Sequence, residues 1–187
     1  VDRPDLQFHC MPAVANQEKY KNEHKMELEK WPGFTLAPCQ LRPESVGSIS
    51  IRSNDPQAAP VIRPNYLHAA RDREVTVRSM KISRNIATQV ALDGYRECEE
   101  LPGKDVKTDD ELLAFAKENG STLYHPVGTC RMGGDEASVV DPVLKVRGVD
   151  GLRVIDASVM PRIVSGNTNA ATIMIAEKIA DAILNGR

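Results

Sequence analysis

The chain has almost no excess of charge of either sign. Its 24 lysines and arginines stand against 26 aspartates and glutamates, interspersed along 187 residues, for a net charge near -2. The concentrated positive field that phosphate backbones require is missing, which excludes nucleic acid as a partner. Long hydrophobic runs are missing as well. The longest, around "NAATIMIA", falls well short of the roughly 20 residues of a membrane span. The first residues carry no charged segment followed by an apolar one, so no secretory signal is expected. Cysteine is sparse, and Cys10, Cys39, Cys98 and Cys130 lie far apart. Such spacing argues against a disulfide framework and fits reduced thiols in the cytoplasm. Neither C-x-x-C nor H-E-x-x-H occurs, and His9 beside Cys10 has poor geometry for gripping one ion, so no metal site is expected. There is also no G-x-G-x-x-G, the glycine-rich turn that receives a diphosphate between a strand and a helix.

What is present is ordinary for a folded, water-soluble chain. Hydrophobic residues make up 41% and charged residues 27%, which leaves no case for wholesale disorder, and the length suits one generous domain or part of a larger one. The opening "LQFHCMP" alternates as a strand does. "NQEKYKNEHKMELEKWPG" then turns to dense mixed charge, and Tyr20, Leu28 and Trp31, with His24 between them, suit one side of a helix. A solvated helix is the plainer reading of that segment, and a lid over a pocket the sharper one. "FTLAPCQL" and "GSISIRS" both show period-two patterning and read as neighbouring antiparallel strands, followed by a turn at "NDPQAAP" and a brief strand at "VIRP".

Across residues 71 to 92, Val75, Ile82, Ile86 and Val90 recur at helical intervals, with Arg71, Arg78, Lys81 and Arg84 as a wet face. "TDDE" predicts a capping box, with Thr108 as cap and Glu111 reaching back, and the helix it opens runs to about Asn119 and Gly120. Near the end, "LRVID" predicts a strand that delivers Asp156. "TNAATIMIAEKIADAILNG" predicts a helix with Ile175, Ile179 and Ile183 on one side and Gly186 as its stop.

The stretch "STLYHPVGTCRMGG" cannot be helical, because Pro126 and three glycines punctuate it too densely. It reads as a strand end opening into a loop, the kind of segment on which chemistry concentrates. His125 is its candidate functional residue, although a hydrogen-bonded interior histidine beside a turn is a plainer account. Asn167, in "SGNTNA", stands just before the last helix, where asparagine ordinarily serves as a cap.

Taken in order, Y-H-P-V-G-T-C-R-M-G, then V-D-P-x-L-K-V-R-G-V-D-G-L-R-V-I-D-A-S-V-M-P, then S-G-N-T-N-A-A-T-I-M-I-A-E-K-I-A-D closely resemble the C-terminal region of the glucose/methanol/choline (GMC) flavin oxidoreductases. The likeness is strong over residues 121 to 187 and more diffuse over "RPESVGSISIRSNDPQAAPVIRPNYL". It implies an α+β fold: an antiparallel sheet of the GMC substrate-binding domain flanked by helices, plus a C-terminal strand, loop and helix belonging to the FAD-binding domain. Residues 1–145 would form the first part and 146–187 the second. Members of this family oxidise an alcohol by passing hydride to N5 of FAD, and the hydroxyl must lose its proton as the hydride leaves. By motif position His125 would take that proton, since imidazole is the side chain that titrates nearest neutrality. Asn167 would orient the substrate oxygen. Thr168 and Asn169, at a helix N-terminus, would favour the negative charge of reduced flavin. Asp156 and Ala157 would run along the ribityl and diphosphate part of FAD. Cys130 is expected to pack, and Arg131 to make a structural hydrogen bond.

One departure from the family is the missing glycine fingerprint, which lies near the N-terminus of a family chain more than about twice as long. The expectation is therefore a C-terminal fragment that is inactive alone and whose partners are a small-molecule alcohol and the missing N-terminal FAD-binding portion. The alternative is a stand-alone, non-catalytic binding or regulatory module. Choline is not the default substrate, because aromatic residues are only 4% of the chain and no cation site with aromatic faces can be placed.

Overall fold

A computed structural model describes residues 3–23 and 25–186. His24, expected on a helix face, lies outside the described residues. The chain divides into two compact units, one built from residues 1–40 and 67–121 and the other from 41–66 and 122–187.

In the first unit, strand β1 (Leu6–Met11) pairs antiparallel with β2 (Thr35–Gln40), Leu6 opposite Gln40 and Met11 opposite Thr35. The expected partner of β2 was the "GSISIRS" strand, and that pairing does not form. Alternating hydrophobicity marks a strand and its inward face, but nothing in that pattern names the neighbour. Between the two strands lies helix α1 (Gln17–Glu23), capped by Asn16, whose side-chain oxygen accepts the Lys19 amide at 2.8 Å. The long helix carrying Tyr20, Leu28 and Trp31 on one side is not present. The chain instead doubles back, with Asn16 donating to the Glu27 carbonyl and Glu29 to that of Val14, both at 2.8 Å. Trp31 sits beyond that bridge and donates its indole N–H to Glu100.

Helix α2 (Ala70–Ala87) packs on β2 and on helix α3 (Asp109–Asn119). Val75 and Val77 are buried on α2, and Leu112 of α3 is completely so. The predicted stripe was right at Val75. It ran too far at Val90, which is 83% exposed and belongs to a separate 3-10 turn, Val90–Tyr95. Arg71, Arg78 and Lys81 are exposed as expected. Arg84 is not simply wet, since it bonds the Glu99 carboxylate at 2.8 Å and the Gly103 carbonyl at 3.1 Å. The capping box at the start of α3 is complete. Glu111 donates its amide to the Thr108 hydroxyl at 3.2 Å, while its carboxylate accepts from the amides of Thr108 and Lys107 at 2.8 and 2.9 Å. Those bonds hold the Glu111 carboxyl below its ordinary pKa.

In the second unit, β3 (Ser48–Ser50) pairs antiparallel with β4 (Val61–Arg63). Gly47 is obligatory where the strands meet, because a Cβ there would lie 2.2 Å from the Arg63 carbonyl oxygen. The antiparallel sheet expected from the sequence is thus two two-stranded sheets among the described residues. Helix α4 (Asn169–Leu184) runs as predicted, with Ile175 and Ile179 buried and Gly186 beyond it at φ 66°. Ile183 is half-exposed.

The core of this unit joins Val140, Leu144, Val159 and Met160 to Ile175 and Ile179. The strand predicted at "LRVID" is absent. Residues 152–156 form only isolated contacts, an antiparallel bridge between Lys145 and Arg153 and amide bonds from Val146 to Leu152 and from Val154 to Leu144. Leu144, Gly148 and Gly151 all adopt positive φ, so the backbone reverses too often for a ladder to grow. A 3-10 turn, Ala157–Val159, follows.

The loop after His125 is braced by charge. Arg131 grips the Asp135 carboxylate through two bonds of 2.9 and 2.8 Å, the planar fork geometry that suits a carboxylate. Buried Ser138 donates within the same loop and accepts from Arg147 at 3.0 Å.

Two outcomes follow from this packing. Replacing fully buried Leu112 by alanine should destabilise the fold by about 2–5 kcal/mol, against about 0.5–2 kcal/mol for Thr108→Ala, as read by urea unfolding. The reverse ranking would contradict this account of α3. The hydrogen bonds from Arg131 hold the Asp135 carboxyl at about 2, below its ordinary 3.8. The bond therefore supports the fold above the ordinary value and is lost as pH falls through about 2. Carboxyl NMR on Arg131→Ala should return Asp135 toward 3.8.

Candidate active site

Three pieces of the second unit converge: the loop carrying His125, the turn 156–160, and the start of α4. Backbone bonds fasten the first to the second. Cys130 donates to the Ser158 carbonyl at 3.1 Å and Met132 to that of Val159 at 2.9 Å. Hydrophobic burial fastens the second to the third, since Val159 and Met160 share the core with Ile175 and Ile179 of α4. The strand expected before His125 is absent, and residues 121–127 form an irregular loop. Tyr124 in that loop has φ 59°, a costly backbone conformation for an aromatic residue. Gly128, at φ 88°, takes the next sharp bend without a side-chain penalty.

The half-buried His125 ring is held on both nitrogens. Nδ1 lies 2.9 Å from the Thr168 hydroxyl and Nε2 lies 3.2 Å from the Asn167 side-chain amide nitrogen. The structure therefore brings together the histidine and asparagine singled out from the sequence, which are 42 residues apart along the chain. Asn167 does not cap α4. The cap position falls one residue later, on Thr168, whose side chain makes no capping bond either. Two residues whose usual employment is helix capping are both spent on the imidazole.

That leaves the start of α4 open. Its first amides have no carbonyl one turn earlier to bond, and no side chain closes them. Asn169 and Ala170 are exposed there, whereas Thr168 is 7% exposed. An uncapped, accessible helix N-terminus suits a group that carries negative charge. Asp156 is exposed, and one of its carboxylate oxygens accepts the Ser158 amide at 2.8 Å; Ala157 is half-buried beside it. A carboxylate fits a sugar-like hydroxyl, which donates to it, and does not fit a phosphate, which it repels. Cys130 is half-buried and free, and Arg131 serves Asp135 as described.

What reasoning from sequence missed is the Thr168 side chain. The signal was there in "SGNTNA": three cap-type residues, Asn167, Thr168 and Asn169, stand in tandem, and a helix has one cap position to fill.

Residues 43–176 match the family described as GMC oxidoreductase. The chain is 45% identical over 183 residues to an alcohol dehydrogenase [acceptor] of Pseudomonas putida, covering 98% of this chain and 32% of that one. It is also 45% identical over 180 residues to an oxygen-dependent choline dehydrogenase of Proteus mirabilis, covering 96% of this chain and 31% of the relative. The chain thus spans about a third of the length of these curated relatives. Among solved structures, pyridoxine 4-oxidase from Mesorbium loti superposes with a TM-score of 0.84 at 33% identity, over 96% of this chain and 34% of that protein. With a family match over most of the chain and a shared fold, this chain belongs to the GMC oxidoreductase family.

Proposed function

We propose that this chain is the C-terminal part of an FAD-dependent alcohol dehydrogenase that oxidises a primary alcohol to an aldehyde, with His125 as the base. The observation that carries this reading is the imidazole held beside Asn167, with one nitrogen facing an amide donor. Residues 1–145 are assigned to the end of the substrate-binding domain and 146–187 to the return into the FAD-binding domain. FAD, when bound, supplies the hydride acceptor. The uncapped start of α4 at Thr168 and Asn169 fits the anionic side of such a ring, and Asp156 with Ala157 fits its polyol portion.

The chain's own residues supply the proton chemistry. Asn167 has an amide hydrogen for the substrate oxygen and can share it with His125, so the carbinol oxygen is drawn toward Nε2. Nε2 then accepts the hydroxyl proton as the carbinol hydrogen departs. A neutral asparagine takes no proton, so His125 carries the acid-base work alone. The solvent-accessible approach over Asn167 and Pro126 is where the alcohol would enter. The names of the relatives include choline dehydrogenase; the hydrogen-bond partners of the His125 ring among the described residues, Asn167 and Thr168, are uncharged and non-aromatic, and we read a neutral primary alcohol as the substrate.

Replacing His125 by alanine in the full-length protein should slow single-turnover flavin reduction by on the order of a hundredfold or more. Unchanged reduction would refute the assignment. The 187-residue chain mixed with FAD should give no stable yellow complex, because it carries no glycine-rich diphosphate cradle. Bound flavin that bleaches on adding alcohol would overturn the assignment to a part of a longer enzyme.

A further inference from the structure

Both nitrogens of His125 are engaged, and the contact with the Asn167 amide nitrogen is the one that defines where the ring proton sits. An amide nitrogen is a donor with no acceptor capacity. At 3.2 Å from the Asn167 amide nitrogen, Nε2 is therefore the acceptor, and a neutral ring must carry its one proton on Nδ1. Nδ1 in turn faces the Thr168 hydroxyl oxygen at 2.9 Å, which accepts that proton in a hydrogen bond. Thr168 is 7% exposed, so water does not compete for the bond. Its position is itself fixed by α4, because the Thr168 carbonyl accepts both the amide and the hydroxyl of Thr172, at 3.0 and 2.9 Å.

We propose that the Thr168 hydroxyl is a positioning residue for His125: it holds the ring in the tautomer whose bare Nε2 faces Asn167 and the substrate oxygen. The proposal rests on the reading of His125 as the base and adds a residue that neither touches the substrate nor exchanges a proton with it. It also narrows what Thr168 offers a cofactor, since its side chain is committed to the ring and its backbone amide remains. A hydroxyl is neutral. Unlike a carboxylate in this place, it does little to stabilise the imidazolium and acts by orienting the ring and by accepting the Nδ1 proton that the Asn167 contact places there. Without the hydroxyl, the ring is free to carry its proton on Nε2, where it cannot accept another.

The test compares Thr168→Val and Thr168→Ser in the full-length protein. Nitrogen-15 NMR of the histidine side chains, with the His125 signals assigned by their loss in His125→Ala, reads the tautomer without relying on turnover. Wild type should show the proton on Nδ1, and Thr168→Val should move a substantial share of it to Nε2. In stopped flow at saturating alcohol, Thr168→Val should reduce flavin about 10–100-fold more slowly, the scale on which orienting partners act. Thr168→Ser should restore both readouts to near the wild-type values. Three results would overturn the proposal: a proton on Nε2 in wild type, with Asn167 turned to present its oxygen; an unchanged tautomer in Thr168→Val; or no rescue by serine. Failure of the underlying reading is distinct. It appears as undiminished flavin reduction in His125→Ala, whatever the tautomer in the Thr168 variants.

Discussion

The candidate site depends on how a loop without regular structure is held still. Irregular backbone has no ladder of its own, and a histidine on such a loop would wander. Here two amides, from Cys130 and Met132, bond the carbonyls of Ser158 and Val159. The side chains of Val159 and Met160 are in turn buried against Ile175 and Ile179. A short chain of constraints thus runs from the hydrophobic face of α4 through one 3-10 turn to the His125 loop. Burial of a few aliphatic groups sets the position of a polar ring. The ring then closes the circuit by bonding Thr168 and Asn167 at the start of the same helix.

That circuit explains why the cap of α4 is sacrificed. A helix start normally gains about 1 kcal/mol from a side-chain cap, and this sequence offers two candidates side by side. Both turn to the imidazole instead. The consequence is a helix N-terminus that keeps its positive end available. One local departure from the ordinary rule thereby holds the imidazole and leaves the start of α4 accessible; under the proposed function the first would orient the base and the second would receive negative charge. The strained Tyr124 backbone immediately before His125 belongs to the same pattern of local stability given up at a site.

Legibility from the sequence followed the range of the interactions. The capping box at Thr108 and Glu111 was readable because all its parts lie within four residues. The run of α4 was readable from its isoleucine spacing. The pairing of β2 with β1 was not, since a strand's partner is chosen by packing elsewhere in the chain and two-residue periodicity is silent about it. "LRVID" had strand composition but, among the described residues, no sheet to join. The Arg84 contact with Glu99 and Gly103 likewise depended on a chain reversal that helical periodicity cannot express. In the site, His125 and Asn167 stood out by motif order, whereas the Thr168 hydroxyl was hidden behind the commoner role of threonine at a helix start.

Nε2 of His125 is the atom proposed to receive the alcohol proton. The most direct test is a crystal structure of the full-length protein with FAD and an alcohol or its unreactive analogue in place. The account predicts the carbinol oxygen within roughly 3 Å of Nε2 and of the Asn167 amide, with the carbinol carbon facing the flavin. A bound oxygen contacting neither group, with His125 still paired only to its protein neighbours, would contradict it.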